Sequence, residues 1–177
     1  SKSSGLTAST TTALVAKGQT NYPNEVYYNW FAATAGTGTD SMVNANASDS
    51  ICPKNWRLPI GGEGATTASN AITTNNEFAK LDIAMGGTGQ TRTNANTFTK
   101  WTTSSIDGQR MSFYLTGNYS TSGSWGSSNV RGFLWTSTAG STSTYAYRLN
   151  LNSTASEISI AAVTKPNIFT VRCIVGS

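Results

Sequence analysis

A chain of 177 residues is long enough to bury one hydrophobic core and too short for two domains of ordinary size. Its net charge of +4 is the balance of twelve Lys and Arg against eight Asp and Glu, and the cations are scattered singly, which argues against a nucleic-acid-binding surface. Charged residues make up only 11 % of the chain, so Ser, Thr, Asn and Gly are expected to cover most of its surface, a composition common in secreted or cell-surface β proteins.

The first 21 residues are polar and rich in small side chains. We predict that residues 1–21 form a flexible N-terminal arm or linker before a single domain of residues 22–177. No signal peptide is present at Ser1, so we expect either a processed product or an export or anchoring segment upstream. No stretch approaches the roughly 20 apolar residues of a membrane span, and we expect no direct membrane insertion of this fragment.

The first half of the domain predicts one strand and one helix. Residues Val26–Ala33 are aromatic and β-prone, which favours a strand. From residue 75 the pattern becomes helical, because Thr74 and Glu77 have the spacing of a capping box. The apolar face of this helix consists of Phe78, Leu81 and Met85.

The second half predicts several strands. Short strands are expected from Met111 and over Phe133–Thr138. An alternating strand follows, in which the core face is expected to hold Tyr145, Tyr147, Leu149 and Leu151. Ile158 and Ile160 indicate a partner strand, and Phe169–Val175 indicates a closing strand. Together these elements predict an α+β fold, with a mostly antiparallel, loop-rich sheet and one or two helices.

The sequence gives little support for catalysis, and we expect no enzyme. The chain has no histidine, which excludes Ser-His-Asp and Cys-His schemes. Its eight carboxylates are widely spread, and Glu77 is better explained as a helix cap. Two cysteines 121 positions apart do not make a zinc site, so no metal or cofactor is expected.

Several motifs resemble a known family. They are YYNWFAATAGTG at Tyr27–Gly38, ICPKNWRLPIGGE at Ile51–Glu63, NEFAKLD at Asn76–Asp82, GFLWTSTA at Gly132–Ala139 and VRC at Val171–Cys173. Together they cover roughly residues 22–175 and resemble the Fibrobacter succinogenes major paralogous domain family, whose members are similar to C-type lectin-like folds. The resemblance implies an exported module, often on surface-anchored or pilin-like bacterial chains.

The resemblance also implies that Cys52 and Cys173 are bridged. Such a disulfide would close a loop of about 120 residues and contribute on the order of 4 to 5 kcal/mol in the chain-entropy model. The alternative is two unpaired buried thiols in a reducing compartment. Composition and the cysteine motifs together favour an extracellular location.

A set of apolar side chains is predicted to build the core rather than a ligand platform, since each lies in an apolar segment. In the WRLP motif, Trp56 and Leu58 are expected to anchor the loop in the core, while Arg57 could bond nearby backbone carbonyls. The predicted core residues are Trp30, Trp56, Leu58, Phe78, Leu81 and Trp135.

In lectin-like folds the irregular segments between the last strands form a ligand-facing surface. Here the corresponding candidates are Tyr119, Trp125, Asn129, Arg148, Asn150 and Asn152. Exposed aromatic residues between glycines suit contacts with sugars or proteins. Two alternatives stay open: Trp125 anchors its loop on the body, and the row from Arg148 to Asn152 is a solvated strand face.

These observations predict a noncatalytic recognition or adhesion domain on a bacterial surface protein or pilus, which binds a host glycan or protein through its loop face. The alternative is a structural pilin-like subunit that contacts sister subunits of a filament. The calcium-binding motifs of true C-type lectins are missing after Trp135, although the oxygen-rich loops leave room for an adventitious Ca²⁺ ion.

Overall fold

The structure is a computed structural model. It describes residues 14–15, 26–61, 76–84, 92–93, 98–99, 101–102, 105–106, 109–110, 113–119 and 124–176. Its helices are α1 (Trp30–Ala33) and α2 (Glu77–Ala84). Its strands are β1 (Leu14–Val15), β2 (Val26–Tyr27), β3 (Trp56–Arg57), β4 (Arg92–Thr93), β5 (Ser105–Ile106), β6 (Gln109–Arg110), β7 (Asn118–Tyr119), β8 (Trp125–Gly126), β9 (Arg131–Ala139), β10 (Tyr145–Asn152), β11 (Glu157–Thr164) and β12 (Ile174–Val175).

The described residues form an α+β structure with mostly antiparallel strands, as the sequence predicts. The main sheet has the order β4-β11-β10-β9, and each neighbouring pair is antiparallel. The expected strands at 133–138, 145–152 and 158–160 all lie in this sheet. The remaining strands are two residues long and pair as β1-β2, β12-β3, β5-β6 and β7-β8.

Apolar clusters cover both faces of the main sheet. In β9, Leu134 packs into one cluster while its neighbours Phe133 and Trp135 pack into the other, because adjacent residues of a strand point to opposite faces. The first cluster also contains Phe78, Phe98, Trp101, Phe113, Tyr147, Leu149, Leu151, Ile158 and Ile160. The second also contains Trp30, Phe31, Ala33, Leu58, Ala139, Ala146 and Phe169. Strands with two covered faces need not alternate between apolar and polar residues.

Most of the predicted core residues are buried. Four of the six, Trp30, Leu58, Phe78 and Trp135, are almost fully enclosed. Leu81 is half-buried and packs against the first cluster. Trp56 is the exception, and its environment is described with the site below.

The predicted strand over Val26–Ala33 is wrong beyond its first residues, because helix α1 begins at Trp30. Asn29 stops the strand: its side-chain oxygen accepts a hydrogen bond from the Ala32 amide at 2.9 Å and caps the helix. The single turn then places the Trp30 indole so that Nε1 donates to the Thr136 carbonyl at 2.9 Å. The helix therefore packs onto the second cluster.

The predicted helix at residues 75–85 is present as α2, but its cap differs from the expected one. Asn76 Oδ1 accepts from the amides of Phe78 at 3.0 Å and Ala79 at 3.4 Å. The prediction that Glu77 serves as a helix cap is wrong, since its carboxylate binds Arg57 and a backbone amide outside the helix. Of the expected partners, Thr74 and Met85 lie outside the described residues.

The disulfide between Cys52 and Cys173 is confirmed, with their Cα atoms 5.8 Å apart. Beside it, β3 pairs with β12, and Ile174 lies opposite Arg57. The end of the chain is thus joined to its middle both covalently and by a strand pair.

Two predictions concern segments that the structure describes only in part. The predicted arm, 1–21, lies outside it except for Leu14–Val15, whose backbone pairs with Val26–Tyr27. The strand expected from Met111 is not formed over residues 113–116, which have irregular backbone. Among the described residues, no helix is long and apolar enough to cross a membrane.

Candidate functional site

A cleft of about 190 Å³ lies between the segment 46–50, the segment 56–60 and strand β9. We call it the Trp56 cleft. It is lined by Asn46, Ala47, Ser48, Asp49, Ser50, Trp56, Arg57, Leu58, Ile60 and Ser137.

The Trp56 side chain forms an exposed wall of this cleft. The Trp56 amide donates to the Pro53 carbonyl at 2.8 Å, which closes a turn, and the residue then pairs with Val175 across the short ribbon. Both residues of this pair face solvent: 47 % of the Trp56 surface and 66 % of the Val175 surface are exposed. The prediction that Trp56 anchors the loop in the core is therefore wrong. Leu58, two residues further on, takes that role and is fully buried.

Polar groups that line the cleft are held in place and keep free hydrogen-bonding capacity. Asn46 Oδ1 accepts from Thr138 Oγ1 at 2.6 Å, which leaves the Nδ2 donors of the amide unused. Asp49 Oδ1 accepts from the amide of the following residue at 2.7 Å, which leaves Oδ2 unused. Within the described part of the chain, Ser48 Oγ and Trp56 Nε1 make no hydrogen bond either. The cleft thus offers both donors and acceptors to a ligand.

Arg57 is the only cation among the described residues that line the cleft, and an ion pair neutralises it. Arg57 Nη1 and Nη2 donate to the two carboxylate oxygens of Glu77 at 2.7 and 2.6 Å, and Nη1 also donates to the Leu58 carbonyl at 3.2 Å. Burial raises the pKa of the Glu77 carboxyl, but hydrogen bonds from Arg57 and the Ile60 amide outweigh burial and leave this pKa below its usual value. Bonding to Glu77 raises the pKa of Arg57. The pair also fixes β3 against α2.

The row expected to face a ligand or solvent is instead packed inside the fold. Asn150 is 7 % exposed and Asn152 is 9 % exposed, and both lie on the sheet face that carries the second cluster. The Arg148 guanidinium lies over the rings of Phe133 and Phe169, at 4.3 and 5.3 Å from their centroids. For Asn150 and Asn152, the prediction of a ligand-facing row and the alternative of a solvated strand face are therefore both wrong, while Arg148 is half-buried.

Arg148 is a half-buried charge that makes no ion pair within the described residues. Burial, together with the positive charge of Arg131, lowers the pKa of Arg148 to about 10. The negative charge of Glu157 acts in the opposite direction. The Nε and Nη1 atoms of Arg148 make no hydrogen bond in the described structure, and neither does the buried Oδ1 of Asn150. Neither Arg148 nor Asn150 lines the Trp56 cleft. Arg148 and Asn150 therefore form a set of polar groups with unsatisfied hydrogen bonds rather than a ligand-binding site.

The other three predicted ligand residues lie near the β7-β8 hairpin and the turn that follows it. The Tyr119 amide donates to the Ile168 carbonyl at 3.2 Å, and Tyr119 pairs in register with Trp125. The side chain of Trp125 lies outside the described structure. Asn129 is exposed, with a φ of 60°. None of the six predicted residues lines the Trp56 cleft.

A larger cleft of about 360 Å³ lies beside the segment 170–173. Its Arg172 side chain lies over the Phe113 ring, 4.5 Å from the centroid, and Tyr114 on its rim makes other contacts as well. The charged and aromatic groups of this cleft are thus already engaged. In the Trp56 cleft Arg57 is also engaged, but among the described residues Asp49 Oδ2 and Trp56 Nε1 make no hydrogen bond, and we therefore take the Trp56 cleft as the candidate site.

The sequence did contain a signal for this cleft. The five residues from Asn46 to Ser50 include four polar side chains, and they come shortly before Cys52 and Trp56. A polar run close to an aromatic loop residue favours a solvent-exposed surface. Among the described residues, no three Cys, Asp or Glu side chains lie close enough together to hold a metal ion. No family model matches the chain, and no curated protein or solved structure was found that matches it.

Proposed function

We propose that this chain is a noncatalytic extracellular recognition domain of a bacterial surface protein or pilus, and that it binds a glycan or protein in the Trp56 cleft. The observation that carries the proposal is the half-exposed Trp56 indole beside polar groups with unused donors and acceptors. An exposed aromatic ring is favourable to cover, and free polar groups give a bound partner its orientation.

Two further observations support an exported scaffold. A disulfide persists in oxidising compartments, which fits the composition of the chain. The antiparallel α+β architecture, with its last strand joined to the middle of the chain, fits the resemblance to the Fibrobacter succinogenes major paralogous domain family and a C-type lectin-like fold.

The test is a glycan and protein array probed with the oxidised chain and two variants. Trp56→Ala removes the aromatic wall, and Tyr145→Ala is the matched control because Tyr145 is also an exposed aromatic residue but does not line the cleft. We expect array ligands whose binding is lost with Trp56→Ala and kept with Tyr145→Ala. Silence on both arrays, or binding that Trp56→Ala leaves unchanged, would refute the proposal.

A second candidate function is a filament subunit, and one observation favours it. Trp56 and Val175 lie opposite each other and are both exposed, so they form a small apolar surface that a sister subunit could cover. This function predicts self-association in sedimentation experiments that Val175→Ser weakens. A recognition domain predicts a monomer whose array binding survives at low protein concentration.

A further inference from the structure

We infer that the ligand of the Trp56 cleft is a neutral pyranose ring, such as the terminal sugar of a glycan. This inference rests on the proposed function of the cleft and goes beyond it by choosing between sugars and proteins and between charged and neutral sugars. It follows from the shape, hydrogen-bonding capacity, charge and size of the cleft.

The shape of the exposed surface fits an amphipathic ring. A pyranose has an apolar face of C–H groups and a rim of hydroxyl groups. The half-exposed indole of Trp56 presents an apolar plane at one wall, and the segment 46–50 presents polar groups that line the same cleft. Stacking the C–H face on the indole removes apolar area from water on both partners.

The unused polar groups match the hydrogen bonds that sugar hydroxyls make. Each hydroxyl donates one hydrogen bond and accepts up to two. Among the described residues, Asp49 Oδ2 has no hydrogen-bond donor, Asn46 Nδ2 and Trp56 Nε1 have no acceptor, and Ser48 Oγ, also without a partner there, can donate or accept. Asp49 and Asn46 line the same cleft, so one sugar hydroxyl can donate to the carboxylate while another accepts from the amide.

The charge of the cleft disfavours anionic sugars. The guanidinium of Arg57 is compensated by both carboxylate oxygens of Glu77. The carboxylate of Asp49 has no ion-pair partner among the described residues and lines the same cleft. A uronic or sialic acid would bring a second negative charge toward Asp49, and like charges at close range reduce affinity.

The size of the cleft limits the ligand to about one ring. Its volume of about 190 Å³ is smaller than the roughly 300–1,000 Å³ of pockets that enclose drug-sized ligands. An oligosaccharide would therefore bind through one unit, with the rest of the chain in solvent. With so little area covered, we expect a dissociation constant of about 1 mM for a single sugar.

The test uses matched sugar pairs that differ only at C6, where a hydroxymethyl group in the neutral sugar is a carboxylate in the acid. Methyl glucoside is compared with methyl glucuronide, and methyl galactoside with methyl galacturonide, in NMR titrations of the oxidised chain that follow the backbone amides of residues 46–50, which every variant retains. We expect at least one neutral sugar to bind, and to bind about fivefold or more tightly than its acid. Trp56→Ala should abolish this binding, and Tyr145→Ala should leave it unchanged.

The variant Asp49→Asn examines the charge argument directly. It keeps the size of the side chain but removes the negative charge, so the preference for the neutral member of each pair should fall by about fivefold, to near equality. Tighter binding of the acids by the unchanged chain, or failure of every neutral sugar to bind, would overturn the inference.

The arrays distinguish this inference from the proposed function. If array binding depends on Trp56 but the ligand is a protein or an acidic glycan, the neutral-sugar inference is wrong while the recognition function stands. If no binding depends on Trp56, both are wrong.

Discussion

Removal of the Cys52–Cys173 disulfide is expected to lower the free energy of unfolding by about 4 to 5 kcal/mol. The bridge joins residues 121 positions apart, and the chain-entropy model gives about 5 kcal/mol for a loop of this length. Both cysteines are half-buried, so replacing them with Ala leaves little cavity to add to this cost. Since domains are stable by about 5–15 kcal/mol, the bridge would supply a large share of the total.

The measurement is urea unfolding followed by tryptophan fluorescence, on the oxidised chain, the reduced chain and the double variant Cys52→Ala/Cys173→Ala. Thermal midpoints should fall by about 10–20 °C, at about 2–4 °C per kcal/mol for a domain of this size. Reductant added to the double variant serves as the control and should change nothing. A loss below about 1 kcal/mol would refute the reasoning, because the β3-β12 pair would then hold the end of the chain without the bridge.

Two further predictions concern buried charges. Burial lowers the pKa of Arg148 to about 10, which shows that its charge is destabilising where it lies. Arg148→Met should therefore raise the free energy of unfolding at pH 7 by about 1 to 2 kcal/mol, once the lost cation–π contacts with Phe133 and Phe169 are subtracted. Urea unfolding that shows unchanged or lower stability would contradict this. Bonding to Arg57 and the Ile60 amide holds the pKa of the Glu77 carboxyl below its usual value, so this pairing stabilises the fold at neutral pH and is lost as the pH falls through the lowered pKa. Glu77→Gln should therefore cost about 1 to 2 kcal/mol at pH 7, a value reduced by the partial exposure of Arg57, and the cost should decrease with falling pH; a cost that does not change with pH would exclude the ion pair as the cause.

The strands of the main sheet could be predicted because their signals are local. Alternation and β-branched residues marked β10 and β11, and their antiparallel pairing follows from the short turn that joins them. What alternation could not show is how many faces are covered. The same pattern that placed Leu149 in the core implied that Arg148 and Asn150 face solvent, but the second cluster covers their face as well.

The segment around α1 was misassigned because propensity competes with a cap. Aromatic residues favour strands by packing on a pleated surface, and that preference is weak in comparison with tertiary context. Asn29 supplies an acceptor for the Ala32 amide, and the resulting turn buries the Trp30 indole against the second cluster. A single Asn before an aromatic run is a small signal in a chain this rich in Asn.

The environment of Trp56 could not be predicted, because it depends on a residue 119 positions away. Nothing in the WRLP motif indicates that Trp56 pairs with Val175 or that both lie on the outer part of a two-residue ribbon. The apolar residues of the motif favoured the core for Trp56 as well, but only Leu58 fulfils that expectation. Such a site is difficult to predict because its residues are far apart in the sequence. The local pattern determines whether a strand forms, while the exposure of a side chain depends on partners elsewhere in the chain.

The position of Trp56 is fixed by three separate connections, and this bears on binding. The disulfide holds the start of its loop, the β12 pair holds its backbone, and the adjacent Arg57 joins α2 through Glu77. Because the backbone of Trp56 is already held in place, a ligand that covers its side chain need not order the loop as well, so more of the contact energy is retained as affinity. This matters most for a small cleft, since a single ring makes few contacts. The same connections that stabilise the end of the chain would thus make a weak, single-ring contact strong enough to serve recognition.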